Sequence, residues 1–127
     1  MEYEQLLIDT SILIDYFRKK KVENSILFHL VDNYDLNISV ITEFEFLIGF
    51  SDERLFFAKE IISQMEIFDI NKSITEVARL IYQKLKKINK LIPIPDLFIA
   101  STALHYNIPL VTLNKKHFEN IEDIIIF

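Results

Sequence analysis

A chain of 127 residues, half of them hydrophobic and none of them cysteine, has the size of one ordinary domain and no access to disulfides, thiolate metal sites or thiol nucleophiles. Its only glycine, Gly49, excludes the P-loop and the dinucleotide fingerprint, each of which needs several glycines to cradle phosphate. A formal charge of −5 excludes nucleic-acid coating through bulk positive charge, and no apolar run approaches the ~20 residues of a spanning helix.

Residues 5–9 form a continuous apolar run that ends in a carboxylate. Continuous rather than alternating apolar character marks a strand covered on both faces. Thr10 or Ser11 can then cap a helix reaching Phe17, and a second amphipathic helix is predicted over 22–33. Leu36, Ile38 and Val40 alternate with polar residues as a second strand. Helical character resumes over 42–48, with Gly49 where a left-handed C-terminal cap would fall. A helix over 52–64 leads to a third strand over 66–70. The spacing Ser73-Ile74-Thr75-Glu76 resembles a capping box and opens a long helix to about Asn89. Pro95 suits the first turn of a helix reaching about His105, and residues 109–113 and 123–127 supply a fourth and a short fifth strand. Strands alternating with helices predict one α/β domain over 1–127, with a mostly parallel sheet of roughly five strands covered by helices.

Ligands of such sheets bind beyond the carboxyl ends of the strands. Asp9, Glu43, Glu45, Asp96, Asn114 and His117 fall there. Asp9 ends an apolar strand, and a carboxylate there must be paired, hydrogen-bonded or metal-bound to offset its desolvation. Its competing role as a helix cap can be filled equally by Thr10 or Ser11. Glu43 and Glu45, two positions apart, point about 200° apart around a helix, so one can face the site and the other solvent. Periodicity does not choose between them.

Asp96 alone reads as a helix-start acid, stabilised by the macrodipole by ~0.3–1 kcal/mol. Its weight comes from sharing the sheet edge with Asp9. His29 and His105 have no partner at ligand spacing, and His117 reads either as polar packing or as a metal or proton-handling group. The eleven Phe and five Tyr are most simply core. Oxygen ligands without Cys or clustered His suit a hard cation, Mg²⁺ or Mn²⁺, and carboxylates converging on such an ion serve phosphodiester hydrolysis. Receiver domains and haloacid-dehalogenase-like phosphatases also place acids at this edge. Cations bunch at Arg18-Lys19-Lys20-Lys21, at Lys84, Lys86, Lys87 and Lys90, and at Lys115-Lys116. Singly these are solvated element ends; together they form a cationic rim on an acidic molecule.

At these residues the sequence resembles the PIN-domain ribonucleases, particularly the VapC toxins of toxin–antitoxin pairs. Leu7-Ile8-Asp9-Thr10-Ser11 looks like the family's first-strand motif. Thr42-Glu43-Phe44-Glu45-Phe46-Leu47-Ile48-Gly49 looks like its T-x-x-E-x-x-x-G segment, in which Glu45 rather than Glu43 takes the acidic position. Pro95-Asp96-Leu97-Phe98-Ile99-Ala100 is similar to its central helix start, and Thr112-Leu113-Asn114-Lys115-Lys116-His117-Phe118 to its last turn. Four segments in the right order span nearly the whole chain.

The resemblance implies a PIN-like three-layer sandwich and a metal-dependent endoribonuclease leaving 5′-phosphate and 3′-hydroxyl ends. Asp9, Glu45 and Asp96 become the catalytic, metal-holding acids, with Thr10, Thr112, Asn114 and His117 in support. His117 stands where many relatives carry a fourth carboxylate, which weakens the case for a second metal and favours Mn²⁺. Partners implied are RNA, a cognate antitoxin covering the site, and a second copy in a homodimer. With an acidic N-terminus unlike a signal peptide and no membrane span, a cytoplasmic protein is expected. The rival reading is a PIN-like module that has lost catalysis and binds protein or RNA; the replaced acid at His117 is its support. A receiver-type phosphoacceptor is more distant.

Overall fold

At the centre of the computed structural model, which describes residues 3–127, lies strand β1 (Gln5–Ile8), with Leu6, Leu7 and Ile8 fully buried. Met1 and Glu2, the acidic start of the chain, lie outside the described residues. β1 pairs in parallel with β2 (Asp35–Ser39) on one side and β4 (Leu110–Val111) on the other, and β2 pairs with β3 (Glu66–Phe68), giving the order β3-β2-β1-β4.

Alternation along the strands divides the core. Leu6, Ile8, Leu36, Ile38 and Val111 face helices α1 (Thr10–Arg18), α2 (Ile26–Leu30), α3 (Val40–Leu47) and α4 (Asp52–Ile62). Leu7 and Leu110 face α5 (Lys72–Lys87), α6 (Ile94–Tyr106) and α7 (Lys115–Phe118). The continuous apolar run of β1 thus serves two cores at once, and the three-layer α/β sandwich is the one expected. None of its helices is long and apolar enough to cross a membrane.

Several local expectations are corrected. The fifth strand shrinks to a single parallel bridge between Leu110 and Ile126, so the sheet has four strands. β4 offers only two residues to pair with, and Asp123 turns the chain out of extension with φ 66°. The helix expected over 22–33 splits into a 3-10 turn (Val22–Asn24) and α2, because the Ser25 hydroxyl accepts from the Phe28 N–H at 3.3 Å and caps a new start. Asn71, not Ser73, caps α5, accepting from the Ile74 N–H at 2.8 Å. Gly49 is not left-handed. The left-handed caps are Asn89 and Asn107, closing α5 and α6 with φ 57° and 55°.

The topology fixes where a ligand fits. The chain leaves β1 towards β2 and β3, then crosses back to place β4 on the opposite side of β1. The carboxyl ends of β1 and β4 therefore flank a topological switch point, where the loops leaving the two strands diverge and open a crevice.

Candidate active site

Asp9 closes β1 at that crevice and is 3% exposed. It occupies the N-cap position of α1, yet its side chain caps nothing. Oδ2 instead accepts hydrogen bonds from the Ser11 hydroxyl and the Thr112 hydroxyl, both at 2.7 Å. Those hydroxyls are held in turn, Ser11 Oγ by the Leu113 N–H at 3.1 Å and Thr112 Oγ1 by the Asn114 N–H at 2.9 Å. The loop after β4 is thereby fastened to the end of β1. The capping reading of Asp9 falls: a desolvated carboxylate is satisfied by two dedicated donors.

Glu45 reaches the same edge from α3. Its Oε1 accepts from the Thr10 hydroxyl at 2.9 Å, and Thr10 Oγ1 also lies 3.3 Å from Thr42 Oγ1. Glu43 makes no side-chain hydrogen bond or ion pair among the described residues. Asp96, in the first turn of α6, is engaged by His117 from α7, with Nδ1 and Oδ2 2.6 Å apart. A carboxylate only accepts, so the imidazole Nδ1 carries the hydrogen.

The three acids feel one another. Burial pushes the Glu45 carboxyl above the ordinary value of 4.5, the Thr10 hydrogen bond pulls partly against this, and the charges of Asp96 and Asp9 add to the rise. Burial likewise raises Asp96, opposed by the His117 hydrogen bond and assisted by Asp9. Among the described residues no Lys or Arg pairs with any of the three. Two hollows adjoin them. One of about 430 Å³ is lined by Ser11, Ile14, Arg18, Lys19 and Asn114; another of about 240 Å³, with Phe17, Phe46 and Arg54 in its wall, reaches Glu45.

The PIN domain family model matches residues 6–124, a span that includes every one of these side chains. The chain is a PIN-domain protein. A Methanocaldococcus jannaschii protein named Ribonuclease VapC1 is 39% identical over 123 residues, covering 96% of this chain and 85% of the relative. Among solved structures, VapBC2 from Rickettsia felis, bound to a DNA fragment from their promoter, matches this PIN domain with 27% identity and a TM-score of 0.83, covering 97% of both chains. A toxin-antitoxin complex from Klebsiella pneumoniae matches with 27% identity and a TM-score of 0.76, covering 94% of this chain and 95% of the other.

Of the residues expected at the site of this PIN domain, Asp9 joins Thr112 and Glu45 joins Thr10, each through a hydroxyl, and Asp96 joins His117. Asn114 enters through its backbone; its side chain makes no hydrogen bond among the described residues. Two contributors escape the sequence reading. Ser11 reads as a helix cap and Thr42 as a helix start, and only the fold brings Ser11 to Thr112, 101 positions away.

The donor set is all-oxygen and anionic, and among the described residues no Lys or Arg pairs with it, which suits a hard divalent ion. No three His, Asp or Glu side chains among the described residues already converge at coordination distance. The acids are nonetheless near enough to repel: the charges of Asp9 and Asp96 act on Glu45, and that of Asp9 acts on Asp96.

This repulsion has a measurable sign. A carboxyl raised by folding favours the fold below its unfolded-state value and loses that contribution as pH rises through its folded-state value. At pH 7 an ionised Glu45 therefore costs the metal-free fold. Glu45→Gln keeps an oxygen for Thr10 and removes the charge, so in EDTA it is expected to melt higher than wild type at pH 7. The gap should narrow towards pH 4. A lower melting temperature at pH 7 would refute the account of a repulsive, desolvated cluster.

Proposed function

We propose that this PIN domain is a metal-dependent endoribonuclease, the toxin of a toxin–antitoxin pair, with Asp9, Glu45 and Asp96 as the acids that hold Mg²⁺ or Mn²⁺. One observation carries the reading. Each acid commits one oxygen to an internal donor (Asp9 Oδ2, Glu45 Oε1, Asp96 Oδ2) and leaves the other without a partner among the described residues. Three tethered carboxylates with a free oxygen apiece are what a hard cation needs and what a merely structural network avoids.

When bound, such an ion supplies charge stabilisation at a phosphodiester and a more acidic water. The remaining work belongs to side chains of this chain. Ser11, Thr112 and Thr10 orient the acids, which lie at the switch point where an extended substrate can cross the sheet edge. Arg18 and Lys19, in the wall of the larger hollow, offer charge to an RNA backbone beside an otherwise acidic centre. The names Ribonuclease VapC1, VapBC2 and toxin-antitoxin complex among the relatives support RNA as substrate and an antitoxin as partner. Exposed Phe44, Ile48, Phe56 and Phe57 give the α3–α4 side apolar surface of the sort that protein partners, the antitoxin or a second copy in a homodimer, cover. Such a protein works in the cytoplasm.

The test is RNA cleavage in Mn²⁺, in Mg²⁺ and in EDTA, for wild type, Glu45→Gln and Glu43→Gln. Chelation should abolish cleavage. Glu45→Gln should slow it by roughly 100-fold or more, as loss of a group acting on the reacting centre does, while Glu43→Gln stays within about two-fold. The reverse pattern would transfer the role to Glu43. Wild type that neither cleaves RNA nor binds a divalent ion would leave a binding module in place of the enzyme.

A further inference from the structure

Asp96 differs from its two companions in what holds it. Asp9 and Glu45 are tethered by hydroxyls of residues that follow β1 and β4, on short stems whose backbone is fixed by the central sheet. Asp96 has no hydroxyl donor. Its one partner among the described residues is the His117 imidazole, 21 positions along the chain, on a helix of four residues. His117 is itself about half exposed, with 47% of its side-chain surface accessible against 16% for Asp96. Two chemical roles fit an imidazole there. It can turn a nitrogen to the ion as a ligand, or it can spend Nδ1 on Asp96 and leave the ion to oxygen.

We propose that His117 is a positioning residue that holds Asp96, through Nδ1–H to Oδ2, with Oδ1 free for the ion, and that it is not itself a metal ligand. The inference rests on the metal-centre reading above and adds the device that completes it. The contact is short for a nitrogen–oxygen pair, as charge-assisted bonds are. It also matches the other two acids in form, one oxygen held and one presented. A nitrogen that donates through Nδ1–H has no lone pair there for a metal, and Nε2, which keeps one, lies across the ring and points away from Asp96, so it cannot meet an ion held at Asp96 Oδ1. Because His117 approaches from α7 while Asp96 belongs to α6, the bond also ties together the two helices that precede and follow β4. The centre thereby becomes all-oxygen at the ion, with nitrogen kept one atom layer out. Groups that hold a ligand's second oxygen in this way fix its direction, and losing them costs metal affinity without removing a ligand.

Mn²⁺ binding to purified protein, followed by electron paramagnetic resonance of the free ion, separates the possibilities without reference to activity. His117→Leu is expected to weaken Mn²⁺ binding by roughly 10- to 100-fold. His117→Asn, whose Nδ2–H can stand in the place of Nδ1–H, is expected to remain within about three-fold of wild type. Pulsed resonance of Mn²⁺ bound to the wild type should show no coupling to a directly bonded ¹⁴N. A directly bonded ¹⁴N signal would overturn the inference by making His117 a ligand. Affinity unchanged in His117→Leu, beside affinity lost in Asp96→Asn, would also overturn it while leaving the metal centre standing. Unchanged affinity in Asp96→Asn would overturn the metal reading itself, and this inference with it. Thermal melts of each variant in EDTA guard against unfolding: a His117→Leu protein that melts with wild type and binds Mn²⁺ weakly supports the inference.

Discussion

Asp9→Asn should reduce RNA cleavage by roughly 100- to 1,000-fold while the protein melts at or above the wild-type temperature. Asp9 Oδ2 receives two hydroxyl hydrogens, from Ser11 and from Thr112. An asparagine has one oxygen and one NH₂ group to place. If its oxygen takes the tethered position, the NH₂ group faces the ion and repels it. If the NH₂ group takes the tethered position, it meets hydroxyls that must rotate, although each already accepts from a backbone N–H of residues 113 and 114. The first orientation removes the free oxygen, and the second presents a neutral amide oxygen in place of a carboxylate and loses the tether, so the chemistry suffers either way. Stability moves differently. Asp9 is almost fully buried, and its charge raises the cost of ionising both Glu45 and Asp96, so neutralising it relieves repulsion in the metal-free fold. Single-turnover cleavage in Mn²⁺, paired with thermal melts in EDTA, reads both effects. Cleavage within ten-fold of wild type would remove Asp9 from the reaction.

That pairing of lost function with preserved fold explains which parts of the site were legible in the sequence. Asp9 stood out because a carboxylate at the end of a wholly apolar strand has a large desolvation penalty that something must offset. The layered core was legible for the same reason: continuous apolar character in β1 requires cover on both faces, and α1 to α4 and α5 to α7 provide it. The choice of Glu45 over Glu43 came from motif resemblance, since helical periodicity gives two faces without saying which meets the sheet edge. Thr10 then supplies the physical reason, by bonding Glu45. The pairings of Ser11 with Thr112 and of His117 with Asp96 were out of reach, because both are tertiary contacts: the first spans the crossovers between β1 and β4, the second spans α6 and β4.

Local rules failed where two residues could do one task. Gly49 was the statistical choice for a left-handed cap, but α3 ends with Ile48 still right-handed, at φ −66°. The left-handed positions fell to Asn89 and Asn107, whose short polar side chains tolerate them. Asn71 displaced Ser73 as the cap of α5 because the helix begins two residues earlier than the Ser73 spacing suggests. The fifth strand failed for a global reason. β4 is two residues long, and a partner strand cannot extend beyond what it pairs with.

Phe118→Ala should cost about 3–5 kcal/mol of folding stability, among the largest effects available to a single substitution in this chain. Phe118 is completely buried and belongs to the core shared by β1, α5 and α6. Against a typical total of about 5–15 kcal/mol, that is a large fraction, and a loss of roughly 4 °C per kcal/mol would lower the melting temperature by some 10–20 °C. The effect should reach the site as well. A four-residue helix such as α7 does not persist on its own hydrogen bonds, and Phe118 is its one buried side chain. His117 is the neighbouring residue, so whatever fixes Phe118 also fixes the imidazole that holds Asp96. Phe118→Ala should therefore weaken Mn²⁺ binding even at a temperature where the protein remains folded, whereas Phe118→Leu, which refills most of the volume, should spare both properties. Urea unfolding and Mn²⁺ titration of the two variants at 15 °C make the comparison. A Phe118→Ala protein that loses stability but binds Mn²⁺ as wild type does would show that Asp96 is positioned without help from α7.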